Sequence, residues 1–316
     1  MITLAFLGCG AVARAHAKRL GRHRRDVQVA FASRDRARAA AFGRDLGGPT
    51  YASYDEAIDS PAVDAVAITT PPSLHKELAL RALAAGKHVV IEKPPVATAA
   101  ELDEIAEAAT RAGKRAFVAE NYFYKPSLRR VRSLIEAGAI GDVLFVHTNA
   151  IKRQETSGWR DDRALALGGA LFEGGIHWVD FMANLGLTVR GVRGYRAGNA
   201  AGPDRSMMVA FEYAEGAAGM LSYSWEVPST ARGLRLSKIY GRAGTITFES
   251  NGLWTFCHGR KLRFYVGLRD LAGYRAMWAD FVAAWKEDRD AAMTLAHARR
   301  DLALLEQAYS TAKEPA

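Results

Sequence analysis

The run Thr3-Leu4-Ala5-Phe6-Leu7 leads without interruption into Gly8-Cys9-Gly10-Ala11-Val12-Ala13 and then into an alanine-rich stretch that reaches Leu20. A strand-like apolar run, a glycine turn and a helix in direct succession form the opening unit of a dinucleotide-binding sheet. Gly8 permits the tight turn, Gly10 removes the side chain that would block a pyrophosphate, and Ala13 is the small third residue that lets helix and strand pack. The backbone N–H groups of Ala11 and Val12 then point at the phosphates with the helix dipole behind them.

The same rhythm continues to about residue 121. Strands are expected at Thr3-Leu7, Val27-Ala32, Ala65-Thr69, His88-Ile91 and Ala116-Ala119, with helices over Val12-Leu20, Arg36-Leu46, Tyr54-Ile58, Ser73-Ala85 and Ala99-Ala112. Gly86 and Gly113 fall just past two of these helices, where a left-handed residue closes the last turn. The expectation is an α/β chain whose residues 1–121 form a doubly wound parallel Rossmann sheet.

From Val143 the period changes to two. Segments Val143-Lys152, Val189-Arg196, Met207-Tyr213, Gly219-Glu226, Leu234-Tyr240, Thr245-Glu249, Leu253-Cys257 and Leu262-Val266 predict a large, open, mainly antiparallel sheet. A helix over Ser127-Ala137 precedes it, one over about Leu167-Leu185 interrupts it, and helices over Tyr274-Trp285 and Ala291-Ala312 close the structure. Residues 122–316 are therefore expected as a second α/β domain for substrate binding and oligomerisation. The available helices can cover one face of its sheet. The other, carrying Tyr223, Trp225 and Tyr240 in this reading, needs a second copy, so a homodimer or homotetramer through the open sheet is expected.

Bulk properties narrow the class. A chain of 316 residues with 49% hydrophobic content can bury two moderate cores. The net charge of +9 invites a nucleic-acid reading, but the 43 basic residues are spread along the chain without a recognition motif, so no nucleic-acid partner is expected. No apolar run is long enough to span a bilayer, and the opening segment reads as a strand rather than a signal peptide. Cys9 and Cys257 are the only cysteines, with neither a disulfide framework nor metal-ligand spacing, which fits a reducing cytoplasm and no bound metal.

Three further segments carry chemistry. The second strand ends in Ser33-Arg34, a hydroxyl and a guanidinium where an acid would bind the ribose hydroxyls of NAD, so NADP is the expected cofactor and NAD the alternative. Glu92-Lys93-Pro94-Pro95 follows a strand, placing Lys93 on stiff backbone at the carboxyl end of the sheet, where it could donate to a substrate oxygen. Glu173 and His177 stand four apart among Gly168, Gly169, Gly174 and Gly175 on an expected helix. Histidine suits proton exchange at neutral pH, and a carboxylate one turn away orients the ring or binds substrate. The glycines mark a close approach of backbone or ligand.

Together with Thr70-Pro71-Pro72-Ser73-Leu74-His75, Gly86 to Pro94 and Gly138-Ala139-Ile140-Gly141, these segments resemble the oxidoreductase family of glucose-fructose oxidoreductase and inositol dehydrogenase over nearly the whole chain. The resemblance implies a Rossmann domain, an open-sheet domain, a site in the cleft between them, and hydride transfer at a hydroxyl or carbonyl of a sugar or cyclic polyol. It implies that Lys93 polarises the reacting oxygen and His177 is the general acid or base, with Glu173 standing where the family usually has aspartate. It adds Thr70, Pro71, His75, Glu92 and Asn121 to the cofactor contacts, and Tyr122, Tyr124, Trp159 and Arg160 near the substrate. Two other activities within the resemblance are a redox-neutral glycosidase that retains its nicotinamide and a nucleotide-sensing binding protein without catalysis; keeping both Lys93 and His177 speaks against the second.

Overall fold

The computed structural model describes residues 1–160, 162–198, 202–228 and 234–312. The chain divides into two compact units, Met1–Glu120 with Tyr274–Arg299, and Asn121–Gly273 with the segment from Arg300 onward.

The first unit alternates β1 (Ile2–Leu7), α1 (Ala11–Leu20), β2 (Val27–Ala32), α2 (Arg36–Leu46), β3 (Thr50–Tyr51), α3 (Tyr54–Asp59), β4 (Ala65–Ile68), α4 (His75–Ala84), β5 (His88–Ile91), α5 (Ala99–Ala112) and β6 (Ala116–Val118). All pairs in the sheet are parallel, in the order β3-β2-β1-β4-β5-β6. Leu4, Ala5, Phe6, Leu7, Val66 and Ile68 are fully buried, as expected of strands covered on both faces by crossover helices. Asp35, Ser53 and Thr98 cap α2, α3 and α5 by accepting from the N–H groups of Arg38, Glu56 and Glu101. Gly113, in the left-handed region at φ 61°, ends α5 as anticipated. The edge strand β3 escapes the sequence pattern, because two residues are too few to show a period. The order of strands reverses between β1 and β4, so the crevice for a ligand opens at the carboxyl ends of these two strands.

The second unit contains α6 (Pro126–Glu136), β7 (Val143–Ile151), α7 (Arg163–Ala166), α8 (Ile176–Ala183), β8 (Val189–Arg196), β9 (Ser206–Tyr213), β10 (Ala218–Ser224), β11 (Leu236–Gly241), β12 (Gly244–Glu249), β13 (Trp254–His258) and β14 (Leu262–Val266). The eight-stranded sheet runs β14-β13-β12-β11-β7-β10-β9-β8, antiparallel except where β7 meets β10. The helix expected over 167–185 is instead a π turn, Leu171–Gly175, followed by α8. Helix α8 lies on the face bearing Thr148, Tyr213 and Phe248: Thr148 Oγ1 meets Met182 Sδ at 3.0 Å, the Tyr213 hydroxyl donates to the Met182 carbonyl at 3.2 Å, and Phe181 stacks on Phe248.

The sheet has a covered and an open face, but its aromatic residues divide differently from expectation. Tyr223 and Trp225 are buried. Register decides this: Tyr223 stands level with Ala150 on β7 and Tyr240 with Phe145, so the two tyrosines occupy opposite faces. The open face carries Phe145, Met220, Leu236, Phe256 and Phe264, all exposed, with His147 and Tyr240 edge to face between them.

Two helices complete the chain, α9 (Tyr274–Lys286) and α10 (Leu295–Thr311), the latter starting four residues after the expected Ala291. Helix α9 belongs to the first unit, where Phe281 stacks on Phe117 of β6 and Trp278 is 1% exposed. Among the described residues no helix is long and apolar enough to cross a membrane, and no cluster of His, Cys, Asp or Glu is arranged to hold a metal.

Candidate active site

In the first unit the expected cofactor residues gather at the carboxyl ends of the strands. Gly8 has φ 105°, and a side chain there would meet the Thr69 carbonyl at 2.9 Å, so the turn after β1 and the end of β4 approach as only glycine allows. At Gly10 an added Cβ would have nothing within 4 Å, so space stands open at the start of α1, where a pyrophosphate would meet the helix N-terminus. Thr70 is buried and its Oγ1 has no partner, a polar atom waiting for one at the end of β4. An open glycine cradle and an orphaned hydroxyl at the switch point fit a dinucleotide. Beyond β2, Ser33 Oγ accepts from the Asp35 N–H at 3.1 Å, and Asp35 spends a carboxylate oxygen capping α2. Arg34 is exposed near the Tyr54 hydroxyl, whose proton is held more tightly mainly through burial. His75 is a brace rather than a ligand contact. Only 1% exposed, it sets Nδ1 at 2.9 Å from the Pro94 carbonyl and Nε2 at 2.9 Å from the Thr70 carbonyl, tying Thr70-Pro71 to the segment after Lys93.

Lys93 is half-buried directly after β5, and its peptide bond to Pro94 is cis. Behind it lies a buried network that the sequence does not announce. Trp278 Nε1 donates to His16 Nδ1 at 2.9 Å. An indole N–H can only donate, so His16 Nδ1 is the acceptor and the single ring proton resides on Nε2, 2.5 Å from Glu92 Oε1. Glu92 Oε2 in turn accepts from the backbone N–H of Lys93 at 3.1 Å.

The second unit holds the remaining candidates. His177, on the first turn of α8 and half-buried, stacks on Tyr122 with ring centroids 4.3 Å apart. Glu173 lies in the π turn, whose extra residue breaks the α-helical four-residue register expected between it and His177. Glu173 is buried and accepts from Arg160 Nε at 3.2 Å, while the Arg160 guanidinium covers the Trp159 ring at 4.6 Å. Tyr124 is buried edge-on against Phe123, and Asn121 donates to the Ala272 carbonyl at 2.6 Å. The structure thus joins Tyr122 with His177, and Trp159 with Arg160 and Glu173.

The glycines of this segment have specific neighbours. A Cβ on Gly174 would lie 2.1 Å from the Tyr223 hydroxyl, and one on Gly169 would lie 2.0 Å from Asp204 Oδ1. Asp204 accepts from the Leu171 N–H through Oδ2 and from the Tyr309 hydroxyl through Oδ1, and the Tyr309 oxygen accepts from the Phe172 N–H. Two otherwise orphaned amides at the start of the π turn are satisfied in this way. Burial raises the Asp204 carboxyl above its ordinary value. Sequence reasoning misses Asp204 and Tyr309; only the glycine-rich run hints that something must pack closely there.

The chain matches the model of an "Oxidoreductase family, NAD-binding Rossmann fold" over residues 2–120 and that of the "GFO/IDH/MocA C-terminal domain" over residues 128–247. It is 31% identical over 188 residues to a glucose-6-phosphate 3-dehydrogenase of Bacillus subtilis, covering 58% of this chain and 53% of that protein. To an NADP(+)-dependent scyllo-inositol 2-dehydrogenase of the same species it is 33% identical over 128 residues, 40% of this chain and 36% of the other. The matches span about half the length of the curated relatives. An oxidoreductase structure from Thermotoga maritima superposes with a TM-score of 0.88 at 25% identity, covering 98% of this chain and 96% of that one.

Proposed function

The chain belongs to the GFO/IDH/MocA oxidoreductase family, and from that premise we propose that it is an NADP-preferring dehydrogenase or reductase acting on a hydroxyl or carbonyl of a sugar or cyclic polyol. The observation that carries the reading is the crevice at the carboxyl ends of β1 and β4, where Gly10 leaves open space, Thr70 Oγ1 is unpartnered and Lys93 follows the next strand. A nicotinamide cofactor, when bound, supplies or accepts the hydride. Gly8, Gly10, Ala11, Val12 and Thr70 hold it. Lys93 donates to the reacting oxygen and stabilises negative charge as it develops. His177 takes the hydroxyl proton in oxidation and returns it in reduction, with Tyr122 fixing the ring by stacking. Glu173 keeps Arg160 in place at the same wall. The first test is the appearance of reduced nicotinamide when protein and NADP or NAD meet a panel of aldoses, cyclic polyols and deoxy sugars.

Selection of NADP rests on Arg34 and on the use of Asp35 as a helix cap, which removes the nearest acid from competition with a 2′-phosphate. Arg34→Ala is expected to reduce kcat/KM for NADP about 10- to 100-fold, as for loss of a hydrogen bond to a charged group, with little change for NAD. An unchanged ratio between the two cofactors would refute the assignment.

The exposed Phe145, Leu236, Phe256 and Phe264 support association of copies through the open sheet. Phe145→Glu combined with Phe264→Glu places two charges on this face, and light scattering is then expected to report a monomer where the unaltered protein is a dimer or tetramer. A monomeric unaltered protein sinks this part of the reading.

A further inference from the structure

On the covered face of the second unit's sheet, Ala150 of β7 pairs with Tyr223 of β10. On its other side β11 pairs Ile239 with Val146, and Arg235, just before β11, follows the alternation of Ser237 and Ile239 onto this covered face. Tyr223 and Arg235 therefore stand on the covered face on opposite sides of β7, near the small side chain of Ala150.

Both long side chains are buried and both have a donor to spare. Arg235 is 7% exposed; Nη2 donates to Asn251 Oδ1, but Nε has no partner. Glu249 lies beside it, a buried carboxylate that accepts from the Arg235 and Leu253 backbone N–H groups and from Asn251 Nδ2. No carboxylate among the described residues forms an ion pair with the Arg235 guanidinium, whose other neighbour is the Trp178 ring at 5.7 Å. The Tyr223 oxygen accepts from Trp225 Nε1 at 2.8 Å, which leaves its own proton without an acceptor among the described residues. Lys125, 2% exposed, adds a second buried cation, 4.2 Å from the Tyr122 ring and 5.7 Å from that of Trp178. Through Tyr122 this cluster adjoins His177.

A buried guanidinium N–H without an acceptor is costly, so retaining one near a phenol with a proton to give fits a ligand that brings acceptors. We propose that Arg235 and Tyr223 form a subsite for a carboxylate carried by the substrate, which makes the preferred substrates sugar acids rather than neutral sugars. This inference rests on the carbohydrate reading given above. Two donors, one N–H and one O–H, match the two oxygens of a carboxylate.

The test uses the full-length protein and two readouts. Thermal shift with glucuronate, galacturonate, glucose, galactose and glucose 6-phosphate measures binding without requiring turnover, and reduced-nicotinamide formation measures kcat/KM on the same compounds. Acids are expected to raise Tm more than their neutral counterparts and to show at least a tenfold higher kcat/KM. Arg235→Met, which keeps an apolar stem against Trp178, is expected to lower kcat/KM for acids 10- to 100-fold and leave neutral sugars unchanged; Tyr223→Phe lowers it several-fold. If Arg235→Met fails to fold, Arg235→Lys, retaining charge but not the planar fork, is expected to weaken acids selectively. Equal response to acids and neutral sugars, equal loss of both in the variants, or a stronger response to glucose 6-phosphate overturns the carboxylate subsite. Absence of turnover with acid-selective Tm shifts that vanish in Arg235→Met keeps the subsite and rejects the dehydrogenase reading instead.

Discussion

Lys93→Met is expected to cut turnover by about a hundredfold or more while cofactor binding, followed by fluorescence titration, stays within a factor of a few. Methionine keeps the length and much of the volume of lysine, so the carboxyl end of β5 retains its packing and loses only the donor and its charge. His177→Ala is expected to produce a loss of the same order for a separate reason, removal of the proton carrier, and it also frees one face of Tyr122. The pair is expected to separate chemistry from binding, with cofactor affinity tracking the glycine turn and Thr70 and kcat tracking these two side chains. Undiminished turnover in both variants would remove them from the mechanism.

The second large effect is on stability. His16→Leu leaves the Trp278 indole N–H facing hydrocarbon and takes from Glu92 the donor at 2.5 Å. A buried donor left unsatisfied costs about 1–3 kcal/mol, and breaking a buried carboxylate's partnership raises the total to about 3–5 kcal/mol. Urea denaturation of the whole protein should show the loss as a lower midpoint for the first transition. His16→Gln places an amide N–H near the position of Nε2 and should recover a substantial part of it. Trp278→Phe removes one donor and leaves the His16–Glu92 bond, so about 1–2 kcal/mol is expected there. A loss below about 1 kcal/mol in His16→Leu, the size of one ordinary hydrogen bond, would mean that the network is incidental to the fold.

Whatever depends on near neighbours is legible in the chain. The glycine turn, the β–α alternation and the left-handed Gly113 that ends α5 are local signals, each readable from residues a few positions apart. The Trp278–His16 bond joins residues 262 positions apart, and no period or motif announces such a pair. The sheet of the second unit is legible as alternation, yet alternation says only that every other residue shares a face. Which face is covered depends on registers across β7, and those put Tyr223 inside and Tyr240 outside. The π turn is hidden in the same way: its extra residue answers to Asp204 and Tyr309, which lie far along the chain from Leu171 and Phe172. Arg235 escapes notice because a lone arginine at a strand end reads as surface until its burial is known.

The first unit is assembled from two stretches of chain, the second of which brings Trp278 and Phe281 to His16 and Phe117. On a ribosome, the Rossmann sheet therefore emerges long before the helix that seals one of its sides. For the whole time it takes to synthesise the intervening strands, Phe117 and His16 wait uncovered, a stretch in which a nascent chain is open to chaperones, to premature nucleotide capture and to wrong partners. Completion of the nucleotide-binding core is thus timed by the synthesis of the other unit, and a transcript cut short before Tyr274 would release a protein with every glycine of the cofactor turn in place and no finished core behind it.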